Sequence, residues 1–309
     1  MRSFALFNNK GGVGKTTLTF NIAHMTARLG LRTVVLDLDP QSDISAIFLG
    51  EEKLAELWEE EEGDPGGRTV AGCVDPIRSG QGDVLDPNLV QVADDLWLLP
   101  GHLRLARFEQ TLAEEWPQVR SSSKGRALQV VTSLNLLTDK AAAAVGADWV
   151  MIDVGSSLGA LNRAALLACD DVIIPLAPDL FSLQGLKNVA PTLCEWRQDW
   201  HLPAHVFRPL GYVVQQHLAR GDESWTAQIP SVFHECFLQE RFSRSIDEDP
   251  RCLAHLRHFV SLVPLAQVAR KPMFDLKRAD GIGGGQLQLV AKFRGELEAL
   301  VQKIASSVG

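Results

Sequence analysis

The run Lys10-Gly11-Gly12-Val13-Gly14-Lys15-Thr16-Thr17 carries the residue types that bind phosphate. Glycines let successive backbone N–H groups converge on phosphate oxygens, and a helix starting at the end of the run adds its positive dipole end. Lys15 would neutralise β/γ charge and the Thr16 hydroxyl would ligate Mg²⁺. A Gly-rich turn without function is the competing reading, and it is the poorer one where a strand precedes and a helix follows. Two further carboxylate sites end apolar runs: Asp37-Leu38-Asp39-Pro40 follows Thr33-Val34-Val35-Leu36, and Asp153 follows Trp149-Val150-Met151-Ile152. A carboxylate at the C-terminal end of a buried strand lies where open α/β sheets bind ligands. Helix capping after a strand is the alternative for Asp37 and Asp39.

Positioning those residues requires alternating strands and helices. Residues 2–7 read as a short buried strand, and Leu18, Ile22, Met25 and Leu29 then recur at helical spacing up to Gly30. With Thr33–Leu36 a first βαβ unit is complete. Further apolar runs at 96–99, 149–152, 172–175, 206–214 and 259–263, with helical patterns between most of them, predict an α/β fold with a doubly wound, mostly parallel sheet and helices on both faces. We expect one domain over 1–309, with surface insertions near 51–69, an acidic helix ending in a loop, and near 113–147, a flexible joint at 121–125 leading into an Ala-rich helix. Leu287, Val290, Phe293, Leu297, Leu300, Val301 and Ile304 share one helical face and predict a docked closing helix, with a membrane-binding tail as the alternative.

With 46% hydrophobic and 22% charged residues among 309, the chain can bury a substantial core, which excludes disorder, collagen and a small disulfide scaffold. Its apolar runs fall short of the ~18 residues of a membrane span, and the first one is too short for a signal peptide, so the expected location is the cytoplasm. Five cysteines without CxxC spacing are expected to be reduced. Cys252-x-x-His255-x-x-His258 could share a helical face, but it lacks a fourth ligand at a zinc spacing and reads as ordinary core or surface. The charge is uneven: residues 1–250 carry 34 acidic against 21 basic side chains, residues 251–309 carry 4 against 9.

Lys10 to Thr17 resembles the deviant phosphate-binding loop of the ParA/MinD family of ATPases, whose mark is the additional lysine at its start. Asp37-Leu38-Asp39-Pro40-Gln41 resembles that family's second motif and Trp149–Asp153 its third. Asp171–Leu176 with Phe181–Leu186 resembles the strand and helix that follow, and Val263-Pro264-Leu265 to Arg270-Lys271-Pro272 is similar to the closing segment. The likeness covers most of the chain apart from 51–69 and 113–147. It is nearer to ParA than to MinD, and among ParA proteins to the Soj-like ones without an N-terminal DNA-reading domain.

The resemblance implies a P-loop fold, ATP and Mg²⁺ as cofactors, and hydrolysis of ATP to ADP and phosphate. It implies an ATP-dependent homodimer in which two subunits sandwich two ATP molecules and Lys10 reaches the partner's nucleotide, neutralising charge there as a finger residue does. Gly11, Gly12, Val13, Gly14, Lys15, Thr16 and Thr17 would hold the phosphates. Asp39 would orient the attacking water. Thr16 would hold Mg²⁺, which Asp153, and alternatively Asp39, would contact through water. Gln215 and Gln216 stand where an amide reader of adenine is expected, and Pro264 where the ring would pack.

Arg220, Arg270, Lys271, Lys277 and Arg278 are the candidates for non-specific DNA binding, because pairing two subunits joins weak basic patches into one strip. Solubilising surface charge is an equal alternative, and no helix-turn-helix or aromatic interleaving supports base readout. The implied role is partition or positioning of DNA or another cargo, with slow turnover stimulated by a ParB-like activator or cargo adaptor, and nucleoid association if DNA is bound. Val154-Gly155-Ser156-Ser157 departs from the two prolines common after the family's third motif. An ATP-dependent protein-recruiting switch without DNA binding, and a MinD-like membrane-positioning ATPase, stay open as alternatives. The cysteines that bridge a cluster in the related nitrogenase iron protein have no match here.

Overall fold

The computed structural model describes all residues except 64–65, 121–124, 200–205, 218–222, 258, 260 and 309. Its strands form an eight-stranded, mostly parallel sheet interleaved with helices, the doubly wound class expected. By contact the chain divides into two units: residues 1–5, 26–171 and 205–207, and residues 6–25, 172–204 and 208–309.

The first unit holds β1 (Arg2–Leu6), β2 (Thr33–Asp37), β3 (Val90–Ala93), β4 (Leu96–Leu99) and β5 (Trp149–Asp153), in the order β3-β4-β2-β5-β1. Every residue of β2 and β5 is buried, so a continuous β-branched and aromatic run is what these positions select. Their parallel register sets Asp37 opposite Asp153, which places both carboxylates at the same end of adjacent strands. The antiparallel β3 was not foreseen. Its half-exposed Val-Gln-Val-Ala gives a weak apolar signal, and the tight turn to β4 puts Asp95 in the left-handed region at φ 55°, one of the few non-glycine types that visit it.

Helix α1 (Lys15–Arg28) belongs largely to the second unit. The first unit adds α2 (Asp43–Leu49), α3 (Glu51–Gly63), α4 (Val70–Ser79), α5 (Leu105–Glu115), α6 (Arg126–Val145) and α7 (Ala160–Leu167). The acidic α3 is more than a solvated excursion: Leu54 and Glu61 are buried, and Trp58 Nε1 donates to the Gly101 carbonyl at 2.9 Å. The Ala-rich α6 leads into β5 as expected and sends Val130, Val131, Leu134, Leu137 and Ala141 into the core.

The Trp58 ring lies 5.1 Å from that of the buried His102, whose Nδ1 accepts the Arg104 N–H at 2.9 Å. Burial, and then the Arg104 charge, lower the His102 pKa from 6.5 to about 4. The folded state therefore binds this proton less tightly than the unfolded chain, and the contribution of His102 to stability rises with pH between about 4 and 6.5. His24, lowered to about 4 by burial, adds in the same direction, and Asp37, raised to about 7 by burial, opposes both. Urea unfolding across that range is expected to show the share of His102 as a difference: the slope of stability against pH should be less positive in His102→Asn, whose Oδ1 keeps an acceptor but no longer titrates, than in the wild type.

The second unit holds β6 (Asp171–Leu176), β7 (Arg208–His217) and β8 (Cys252–Arg257), in the order β6-β7-β8. Its further helices are α8 (Leu180–Asp199), α9 (Glu223–Thr226), α10 (Ile229–Phe233), α11 (Val263–Ala269) and α12 (Gly284–Val308). Two expectations are corrected here. The last strand is Cys252–Arg257, paired in parallel with β7 from Tyr212↔Cys252, and not 259–263. Val263 instead opens α11, because Pro264 lacks an N–H and fixes φ, which suits a first helical turn. Cys252 and His255 accordingly lie on a strand and not on a helix face, and His258 lies outside the described residues. The expected closing helix is α12: Val290, Phe293, Leu297, Leu300, Val301 and Ile304 are buried, and Leu287 is half-buried. Among the described residues no helix is long and apolar enough to cross a membrane.

Candidate functional site

In the second unit the chain leaves β1 through Phe7, whose N–H donates to the Ile173 carbonyl at 3.0 Å, and reaches Asn8. Asn8 is buried, and sequence reasoning did not single it out. Its Nδ2 donates to the Pro175 carbonyl at 2.8 Å while its Oδ1 accepts the Lys10 N–H at 2.9 Å, so it ties the start of the loop to β6. Gly12 and Gly14 have φ of 73° and 83°, a region that a Cβ makes costly. A Cβ on Gly11 or Gly12 would meet only open space, so that face of the loop is clear for a ligand. Helix α1 begins at Lys15 with no acidic residue in its first turn, which leaves its N-terminal dipole uncompensated. Lys15 is buried and Thr16 and Thr17 are half-buried beside it.

The Lys10 Nζ does not point into solvent. It donates to Asp179 Oδ2 at 2.6 Å and to Ser182 Oγ at 3.2 Å, and it lies 6.0 Å from the centre of the exposed Phe181 ring. Burial opposes ionisation of Asp179, but the hydrogen bonds from Lys10 and Ser182 outweigh it and hold the carboxyl below the usual range. A cavity of about 280 Å³ adjoins the loop. Gly12, Gly14, Thr17 and Leu18 line it, together with Gln215, Phe259, Pro264 and Phe293 among others. Both predicted base-pocket residues, Gln215 and Pro264, are therefore brought to one cavity with the loop. The Gln216 side chain lies outside the described ones.

In the first unit the two carboxylates after β2 differ in environment. Asp37 is fully buried. Its Oδ2 accepts from Ser45 Oγ at 2.5 Å and Ser45 N at 3.1 Å, and its Oδ1 accepts from Asp39 N at 3.1 Å. Burial pushes its pKa up to about 7 against those bonds. Asp39 is less enclosed: its Oδ1 accepts the Gln41 N–H at 2.9 Å, and its carboxylate runs 3.4–3.5 Å from where a Cβ on Gly155 would sit. The departing segment Val154–Ser157 is held by Asn162, whose Nδ2 donates to the carbonyls of Gly155 at 3.1 Å and Ser157 at 2.7 Å. Asp153 is buried at the end of β5.

Of the basic candidates, Arg270, Lys271, Lys277 and Arg278 fall on one stretch of the second unit. Arg270 ends α11 at φ 49°, and Lys271 Nζ is paired with Asp280 Oδ1 at 2.7 Å. Lys277 and Arg278 are exposed. Arg220 lies outside the described residues.

The family profile described as an AAA domain (AAA_31) matches residues 1–201. The chain belongs to that family. Together with its Soj relatives this is the ParA/MinD family of P-loop ATPases that the motifs resemble. The chain is 31% identical over 190 residues to the sporulation initiation inhibitor protein Soj of Bacillus subtilis, a match spanning 61% of this chain and 63% of Soj, under two thirds of that protein. A crystal structure of a protein from Corynebacterium diphtheriae superposes over 100% of this chain and 99% of its own with a TM-score of 0.76 at 22% identity, a likeness of fold. Cobyrinic acid a,c-diamide synthase from Mycobacterium smegmatis, solved with ADP and magnesium, is 27% identical over 72% of this chain and 78% of its own, with a TM-score of 0.53. The ParA/MinD loop, second motif and third motif all fall within the residues the profile matches.

Proposed function

We propose that this ParA/MinD protein is a ParA-type ATPase that binds Mg-ATP, closes into a nucleotide sandwich dimer, associates with DNA without sequence preference and hydrolyses ATP slowly until a partner protein stimulates it. The observation that carries this reading is the open glycine cradle at the start of α1, with a second lysine, Lys10, held at its mouth. Gly11 to Thr17 offer backbone N–H groups and the Lys15 ammonium to phosphate. Hard oxygen donors suit Mg²⁺, which is bound through one or two side chains plus substrate phosphate. Thr16 is the donor assigned to it, with Asp153, and alternatively Asp39, acting through water. When bound, the ion draws off charge from the phosphate oxygens. Lys10 is assigned to the partner's nucleotide and Asp39 to the attacking water. The cavity lined by Gln215 and Pro264 takes the base.

The role would be partition or positioning of DNA or another cargo, in the cytoplasm and on the nucleoid. The DNA strip would combine Arg270, Lys277 and Arg278 from each subunit, with Lys271 less available because Asp280 holds it. That ion pair and the surplus of acidic residues favour a second reading, an ATP-dependent dimer that recruits a protein and leaves DNA alone. Binding to a non-specific duplex without nucleotide, with ADP and with ATP, across a salt series, separates the two. ATP-selective binding that weakens steeply with salt is the expected result. A dimer that forms with ATP and ignores the duplex would leave the recruiting switch as the better account.

A further inference from the structure

Gln215 stands where a base reader is expected, yet its amide is committed elsewhere. Nε2 donates to the Val13 carbonyl at 2.7 Å. A carbonyl oxygen only accepts, so this contact fixes which end of the amide faces the loop. Oε1 is then left beside Gly14, 3.0 Å from where a Cβ would sit. Reading adenine with both ends of one amide needs a donor and an acceptor turned to the ring together, and here one N–H is spent on Val13 while Nε2 and Oε1 both lie against the loop at Gly14.

The bond falls where the loop needs it. Val13 lies between Gly12 and Gly14, both at positive φ, and glycine-rich backbone is the most costly to order. Asn8 already ties the start of the loop to β6 through the Pro175 carbonyl. Gln215 holds its apex from β7, a strand paired in parallel with β8. A ligand-binding loop fixed by side chains on rigid strands is preorganised for its ligand.

We propose that Gln215 is a positioning residue that sets the phosphate-binding loop from β7 and does not read the base. The proposal rests on the ATPase reading above. It predicts an equal loss for ligands with and without a base. Calorimetric titration of inorganic tripolyphosphate and of ATP, each with Mg²⁺, into the wild type, Gln215→Leu and Gln215→Glu tests it.

Gln215→Leu is expected to weaken both ligands by the same factor, about five- to tenfold for one lost hydrogen bond. Gln215→Glu keeps the shape but turns a carboxylate oxygen toward the Val13 carbonyl, so it should weaken both at least as much, and it carries the test if the leucine variant does not fold. Weaker ATP binding with unchanged tripolyphosphate binding would make Gln215 a base reader and overturn the proposal, and so would unchanged affinity for both. Failure of the wild type to bind either ligand would instead overturn the ATPase reading, and this proposal with it.

Discussion

ATP turnover is expected to fall about a thousandfold in Lys10→Ala, the loss typical of a charge-stabilising finger residue, and to persist in Asp179→Asn. The two side chains form one ion pair, so a purely structural role for that pair would make the substitutions equivalent. Magnitude separates the cases. The pair is about one third exposed, with side-chain accessibilities of 30% and 38%, and such a pair is worth at most about 1 kcal/mol. A thousandfold loss of rate corresponds to about 4 kcal/mol, which needs contact with charge that develops in the reaction.

In the sandwich dimer Lys10 would have to leave Asp179 and Ser182 for phosphate, so the carboxylate competes with the nucleotide for the ammonium. Asp179→Asn weakens that competitor. The ATP concentration that drives dimerisation, read by sedimentation, should then be no higher than in the wild type, and single-turnover phosphate release should continue. Retained turnover in Lys10→Ala would remove the cross-subunit role. An equal loss in both variants would make the ion pair itself the functional element.

The loop was legible in the sequence because its chemistry is local: three glycines, a lysine and a threonine within a few residues carry both the conformation and the function. The residues that brace it were not. Asp179 is 169 residues from Lys10, and Gln215 is 202 from Val13, and no periodicity announces a hydrogen bond across such separations. Asn8 was hidden for a different reason, since a single buried amide between a strand and a glycine run looks like part of the turn. Strands buried on both faces, such as Trp149–Asp153, stood out by composition alone. β8 did not, because Cys-Leu-Ala-His-Leu-Arg is half-buried and mixed, whereas Phe259 to Val263 looks more β-like until Pro264 is allowed to start a helix. The acidic α3 shows the same limit from the other side. Four consecutive glutamates suggest a solvated face, yet Glu61 is buried, against the backbone of Gly72.

Asp39→Ala is expected to stop turnover, by about a hundredfold or more as for loss of a positioned acid–base group, while ATP binding persists and the ATP-held dimer outlives that of the wild type. Of the two carboxylates after β2, only Asp39 has the environment this role needs. Asp37 spends both oxygens on protein groups, Ser45 and the Asp39 N–H, at a fully buried position. Asp39 has one oxygen steadied by the Gln41 N–H, and it lies along a glycine, Gly155, where a Cβ would come into van der Waals contact with its carboxylate. On the proposed reading the pair divides into a scaffold and a working carboxylate, and the substitutions should fail differently. Asp37→Ala leaves Ser45 without its acceptor in the core, and the unfolding midpoint should drop, as expected when a buried donor loses its partner. Asp39→Ala should leave the midpoint near the wild-type value and abolish phosphate release. Thermal unfolding and single-turnover hydrolysis on the same preparations decide it. A stable Asp39→Ala protein that still hydrolyses ATP at the wild-type rate would move the water-orienting role to another residue.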